Sequence, residues 1–135
     1  MLVAAFTASA GWISTGSLCG WGDSLVPRFT HAVFASLDDR ERMRRIVARE
    51  RLRYGAAIDA DGDRHAAHQA FLAWAALYET AAPPVRSRRM HEQWGAALPC
   101  PLLTVDSSRP VPALVDELLA QLVPDVQPRA ETPAR

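Results

Sequence analysis

The chain contains no lysine, and all fifteen of its Lys-plus-Arg positions are arginine. That absence excludes chemistry built on an amine side chain, including a Schiff base and the lysine of a phosphate-binding loop. Arginine remains, and its planar fork binds phosphate bidentately. Net charge is lacking too, because fifteen basic and fifteen acidic residues balance to zero. No global basic field exists to attract nucleic acid, so no nucleic-acid partner is expected. Cysteine is scarce: Cys19 and Cys100 lie far apart without the paired spacing of a metal site. They read as two reduced thiols, which fits a cytoplasmic protein.

Long hydrophobic runs are also missing, and no membrane partner is expected. The start MLVAAFTASA has the small-residue pattern of an export signal, but it lacks a positive n-region. Gly11, Ser14, Thr15 and Gly16 interrupt it well short of a membrane span. The 135 residues suit one domain with a moderate core.

What is present begins with Leu37–Gly55, the densest charge in the chain and the seat of nearly half its arginines. Asp38 is a good N-cap, and Asp39 and Glu41 fall in the first turn, where the helix dipole favours acid. Met43, Ile46, Val47 and Tyr54 form an apolar stripe, and Arg42, Arg45, Arg49 and Arg53 run beside it. Gly55 supplies the stop. Upstream, Leu2–Ser9 reads as the last turns of a helix. Trp12–Ser17 reads as a strand ending in the glycine-rich turn GSLCGWGD, and His31–Leu37 as a second strand.

Downstream, IDADGD is a turn-rich loop, and helices are expected over Arg64–Tyr78 and Val85–Leu98. Leu102–Val105 is a third strand, followed by the turn Asp106–Arg109. From Pro110, apolar positions at helical spacing predict a final amphipathic helix. The tail 124–135 is expected to be disordered. Strands alternating with helices imply an α/β fold with a parallel sheet, whose binding sites lie beyond the carboxyl ends of the strands.

Four segments carry a family likeness: GWISTGSLCGWGD, RMRRIVARERLRYG, the block RSRRMHEQW with LPCPLLTVDSSRP, and the last amphipathic helix. Together they resemble the adenylate-kinase-like P-loop kinases of bacteria, often described as AAA-family ATPases. The likeness covers 11–123 and implies a partial P-loop kinase fold over 1–123, with a lid over about 38–98. The first two strands and the GxxxxGK[ST] loop of that fold are absent from this sequence. Arg45, Arg49 and Arg53 are then implied as lid arginines, with Arg86, Arg88 and Arg89 from the far side. Asp106, Ser107, Ser108, Arg109 and Pro110 are implied to pack on adenine, and Asp23 is a candidate for magnesium.

The resemblance implies ATP and Mg2+ as cofactors and a nucleotide and a small-molecule acceptor as partners. Intact relatives would transfer the ATP γ-phosphate. This chain is expected to be weak or inactive, from a misassigned start about sixty residues too late, at the usual size of a βαβ unit, or from a real truncation. The alternative is a non-catalytic α/β interaction module or pseudokinase that forms homo-oligomers through an open sheet edge.

Blander readings compete at several positions. The arginine helix is also a plain solvated face, with Glu41 and Glu50 as partners. DADGD has its glycine too early for a calcium loop, and Ala70 stands where the closing Glu belongs. His65 and His68 lack companion ligands and read as surface histidines. Phe71 and Trp74 read as core. No nucleophile–base pair is visible in the sequence.

Overall fold

Two short apolar runs pair as a parallel ladder in the computed structural model, which describes residues 11–122. Strand β1 is Ala32–Ser36 and β2 is Leu102–Asp106, in register from Ala32 opposite Leu102 to Ser36 opposite Asp106. The ladder extends one bond at each end, from Ala32 N–H to Pro101 O and from Ser107 N–H to Ser36 O. The described residues therefore form a mixed α/β arrangement with one two-stranded parallel sheet and four α-helices.

Helix α1 spans Asp39–Tyr54. Asp38 caps it as expected, accepting from the N–H groups of Arg40 and Glu41 at 3.0 and 3.3 Å. Gly55 ends it at φ +54°, a conformation that favours a residue without Cβ. Helix α2 spans His65–Ala76 and tightens into a 3-10 turn through Glu79. Helix α3 spans Arg88–Ala96 and α4 spans Val111–Leu122.

Three expectations need correction. Trp12–Ser17 is irregular rather than a strand. A strand exists only where its backbone finds a ladder partner, and among the described residues the sheet holds β1 and β2 alone. The expected helix from Val85 starts only at Arg88, because Val85 N–H closes a turn onto Ala82 O and Ser87 takes the cap, accepting from Met90 N–H. Trp74 is 46% exposed, so it is not core. The expected helix at Leu2–Ser9 and the tail from residue 124 lie outside the described residues.

The core is small. Among the described residues the buried apolar side chains are Leu18, Leu25, Ile58, Ala75 and Val105. Parallel sheets are ordinarily covered on both faces. Here Val33 and Leu102 stay 42% and 38% exposed on the two strands. No helix among the described residues is long and apolar enough to cross a membrane.

Candidate functional site at the head of the strand pair

Both strands run in the same direction, so their carboxyl ends lie side by side at Ser36 and Asp106. Beyond β2 the chain makes a tight turn. Asp106 Oδ1 accepts from Ser108 N–H at 2.9 Å, and Arg109 N–H returns to Asp106 O. That backbone bond holds the Asp106 carboxyl below its ordinary range, with Arg109 and Arg45 adding attraction. Arg109 is paired with Glu117 on α4. Pro110 leads into that helix, and its carbonyl accepts from Leu114 N–H.

Arginines reach this head from both ends of the long excursion between the strands. Arg45 on α1 donates from Nη1 to Ser107 O at 3.0 Å while its Nε binds Glu41. Arg88, the first residue of α3, donates to Ser36 Oγ at 2.9 Å and to Leu37 O at 3.2 Å. Its remaining donors grip Glu79 through both carboxylate oxygens. Arg88 thus braces the carboxyl end of β1. Glu41 accepts from both Arg44 and Arg45, which pulls its carboxyl from 4.5 down to about 2.

The other lid candidates separate. Arg53 lies eight residues beyond Arg45, about 12 Å along the helix axis at the usual rise. It lines a pocket between α1 and α2 together with Arg49, whose guanidinium binds Glu50 at 3.2 Å. Arg86 lines the wide cleft beside β1, and Arg89 is exposed on α3. Asp23 is exposed, and its carbonyl accepts from Val26 N–H. Among the described residues no group of three acidic, histidine or cysteine side chains is placed to hold a metal.

The cleft beside β1 has a volume of about 1320 Å³ and runs between residues 12–19 and the strand edge. It holds a chain of side chains with no signal in the sequence. Ser17 Oγ lies 3.0 Å from His91 Nε2, and His91 Nδ1 lies 2.7 Å from the Tyr78 hydroxyl. Its three members are drawn from an irregular segment, a 3-10 turn and a helix, and Ser17 and His91 stand 74 positions apart in sequence.

The geometry resembles a nucleophile–base pair, but the charges oppose that role. Burial, then Arg86, lowers the His91 pKa, which disfavours the imidazolium a general base must become. Burial raises the Tyr78 pKa, so its hydroxyl stays neutral and supplies no compensating charge. The guanidiniums of Arg42 and Arg88 lie 4.9 and 5.7 Å from the Tyr78 ring centre. The arrangement is a strut that ties α3 to the segment carrying Ser17.

Comparison with known proteins finds one curated relative, YqaC of Bacillus subtilis (strain 168), described as an uncharacterized protein. It is 40% identical over 116 residues, which is 86% of this chain and 65% of YqaC. The chain therefore spans a little under two thirds of that relative. No protein-family model matches the chain, and no solved structure matches it at a significant level.

Proposed function

We propose that this chain is the lid and adenine-facing part of a P-loop nucleoside- or nucleotide-kinase-like ATPase. The observation that carries the reading is the meeting of Arg45 with the Asp106 turn and of Arg88 with Ser36, at the carboxyl ends of two parallel strands. In open α/β sheets that is where ligands bind. The loop Asp106–Pro110 would face the adenine through its backbone. Arg45, Arg49 and Arg86 would supply positive charge when the excursion closes, and charge of that kind stabilises phosphoryl transfer; Arg53 faces a different pocket.

This chain does not by itself complete a nucleotide site. The sequence has no lysine and no GxxxxGK[ST] segment. Such a loop cradles phosphates with backbone N–H groups and provides the Ser/Thr magnesium ligand. Asp23 by itself does not make a magnesium site. Arginines on a lid act only on phosphates already held, so this chain should bind MgATP weakly and turn it over slowly or not at all.

Calorimetry and a γ-phosphate transfer assay test the two halves of the reading separately. Micromolar, magnesium-dependent ATP binding by this chain would overturn the incompleteness argument. Full-length YqaC that neither binds ATP nor phosphorylates any nucleoside or nucleotide would overturn the kinase reading.

A second reading rests on a separate observation. Among the described residues β1 has a strand neighbour on one side only, and Val33 is exposed. Open strand edges template pairing with other chains. A non-catalytic module that self-associates through this edge would show concentration-dependent mass in sedimentation, abolished by Ala35→Pro. A monomer at every concentration rejects it.

A further inference from the structure

We propose that the cleft beside β1 is a slot for one further strand, an extended and uncharged segment lying between β1 and residues 13–17. Its source is the stretch of polypeptide that YqaC has beyond its match to this chain. No nucleotide chemistry enters the proposal, so it stands or falls apart from the kinase reading.

The edge of β1 is set to pair. In the ladder Ala32 N–H donates to Pro101 O, and Ser36 O accepts from Ser107 N–H. Successive residues of a strand turn their backbone groups to opposite edges. Ala32, Phe34 and Ser36 therefore face β2, while Val33 and Ala35 present N–H and C=O groups to the cleft. Among the described residues no third strand takes those groups. An edge of this kind is a template for another strand.

The cleft has the size and the walls of a strand site. All of β1 lines one side and residues 13–17 the other. A five-residue strand is about 17 Å long, sits about 4.8 Å from its neighbour and fills a layer about 10 Å thick, or about 800 Å³. The cleft offers about 1320 Å³. His91 and Trp94 of α3 line it, as do Ile46 of α1 and Phe71 and Trp74 of α2. Of the arginines along it, Arg42, Arg49 and Arg88 are already paired with Asp39, Glu50 and Glu79. A strand enclosed by helices reads as a near-continuous apolar run. The occupant is therefore about five or six residues rich in Val, Ile and Leu. It would cover Val33 and Trp74, which stand 42% and 46% exposed.

The length of the relative points to the source. Roughly a third of YqaC lies outside the match, ample for one such strand. A second copy fits less well, because its own β1 would have to enter a slot already walled by residues 13–17.

The test is amide exchange with cross-strand NOE spectroscopy on this whole chain and on full-length YqaC. In this chain Val33 and Ala35 should exchange about tenfold faster, or more, than Phe34 and Ser36, the size of one hydrogen bond. In YqaC the amides aligned with Val33 and Ala35 should slow by about the same factor or more. Their NOEs should lead to an apolar segment outside the match. Ala35→Pro in this chain removes a donor on the open edge, so the Ser107 amide should keep its exchange rate. Fast exchange at both aligned positions of YqaC, NOEs from inside the match, or a charged occupant overturns the proposal. So does an accelerated Ser107 amide in Ala35→Pro. Protection of Val33 and Ala35 in this chain also overturns it, and protection that rises with concentration assigns the edge to a second copy instead.

Discussion

Replacing Arg88 by alanine should loosen the head of the strand pair more than any other single arginine change. Arg88 donates to Ser36 Oγ and Leu37 O at the end of β1, and both bonds carry its charge. Such bonds contribute about 1.5–3 kcal/mol each when shielded from water. The side chain is 25% exposed, which argues for the lower end of that range. Its ion pair with Glu79, itself 28% exposed, adds no more than about 1 kcal/mol. Polar groups freed in the variant regain some water, so the net local loss should be about 2 kcal/mol.

Native-state hydrogen exchange reads that loss directly. The Ser107 amide donates to Ser36 O at 2.7 Å, immediately beside the brace. Its exchange should accelerate about thirtyfold in Arg88→Ala, the equivalent of 2 kcal/mol. Glu79→Ala should accelerate it only a few fold. An Arg88→Ala change under threefold would refute the brace.

Three further outcomes follow from the same structure. Glu41 has a folded pKa of about 2, below its ordinary 4.5, so its pairing with Arg44 and Arg45 stabilises α1 fully above pH 4.5 and is lost as pH falls toward 2; a carboxyl NMR titration with its midpoint near 4 would contradict this. His91 is held below its ordinary 6.5 by burial and Arg86, so its contribution is full above pH 6.5 and declines as pH falls below it; an imidazole titration midpoint above 6.5 would contradict the strut. Gly62→Ala should cost about 1–3 kcal/mol or more, because a Cβ there would sit 2.2 Å from Ala57 O, a backbone atom that cannot turn aside; an unchanged melting temperature would be the contrary result.

Much of the fold was legible because its signals are local. The Asp38 cap, the acidic first turn and the Gly55 stop sit next to one another in sequence and delimit α1 as expected. The two strands were readable as apolar runs flanked by turn residues, and their parallel pairing followed from the helical excursion between them. Trp12–Ser17 has strand composition but stays irregular, because composition states only a capacity to pair. Val85 stays outside the helix because the turn Ala82–Val85 delays the start until Ser87 can cap it.

The site was legible only in part. Arg45 and Arg88 do meet the turn after β2 or the end of β1. Spacing along one helix could not show that Arg53 faces a different pocket, shared with Arg64 and His68. His68 read as a surface residue because nothing local announces burial, which here comes from α2 lying against α1. Ser17, Tyr78 and His91 were illegible for the same reason, since only the fold brings them together.

The most direct measurement of the central claim is residue-by-residue amide NMR of this chain titrated with MgATP to millimolar concentration. The account predicts fast-exchange shifts, without micromolar saturation, at Leu37, Arg45 and Asp106–Arg109, around the carboxyl ends of β1 and β2. Shifts confined to the α1–α2 pocket, or no shift anywhere near the Asp106 turn, would contradict a nucleotide-facing role for the head of the strand pair.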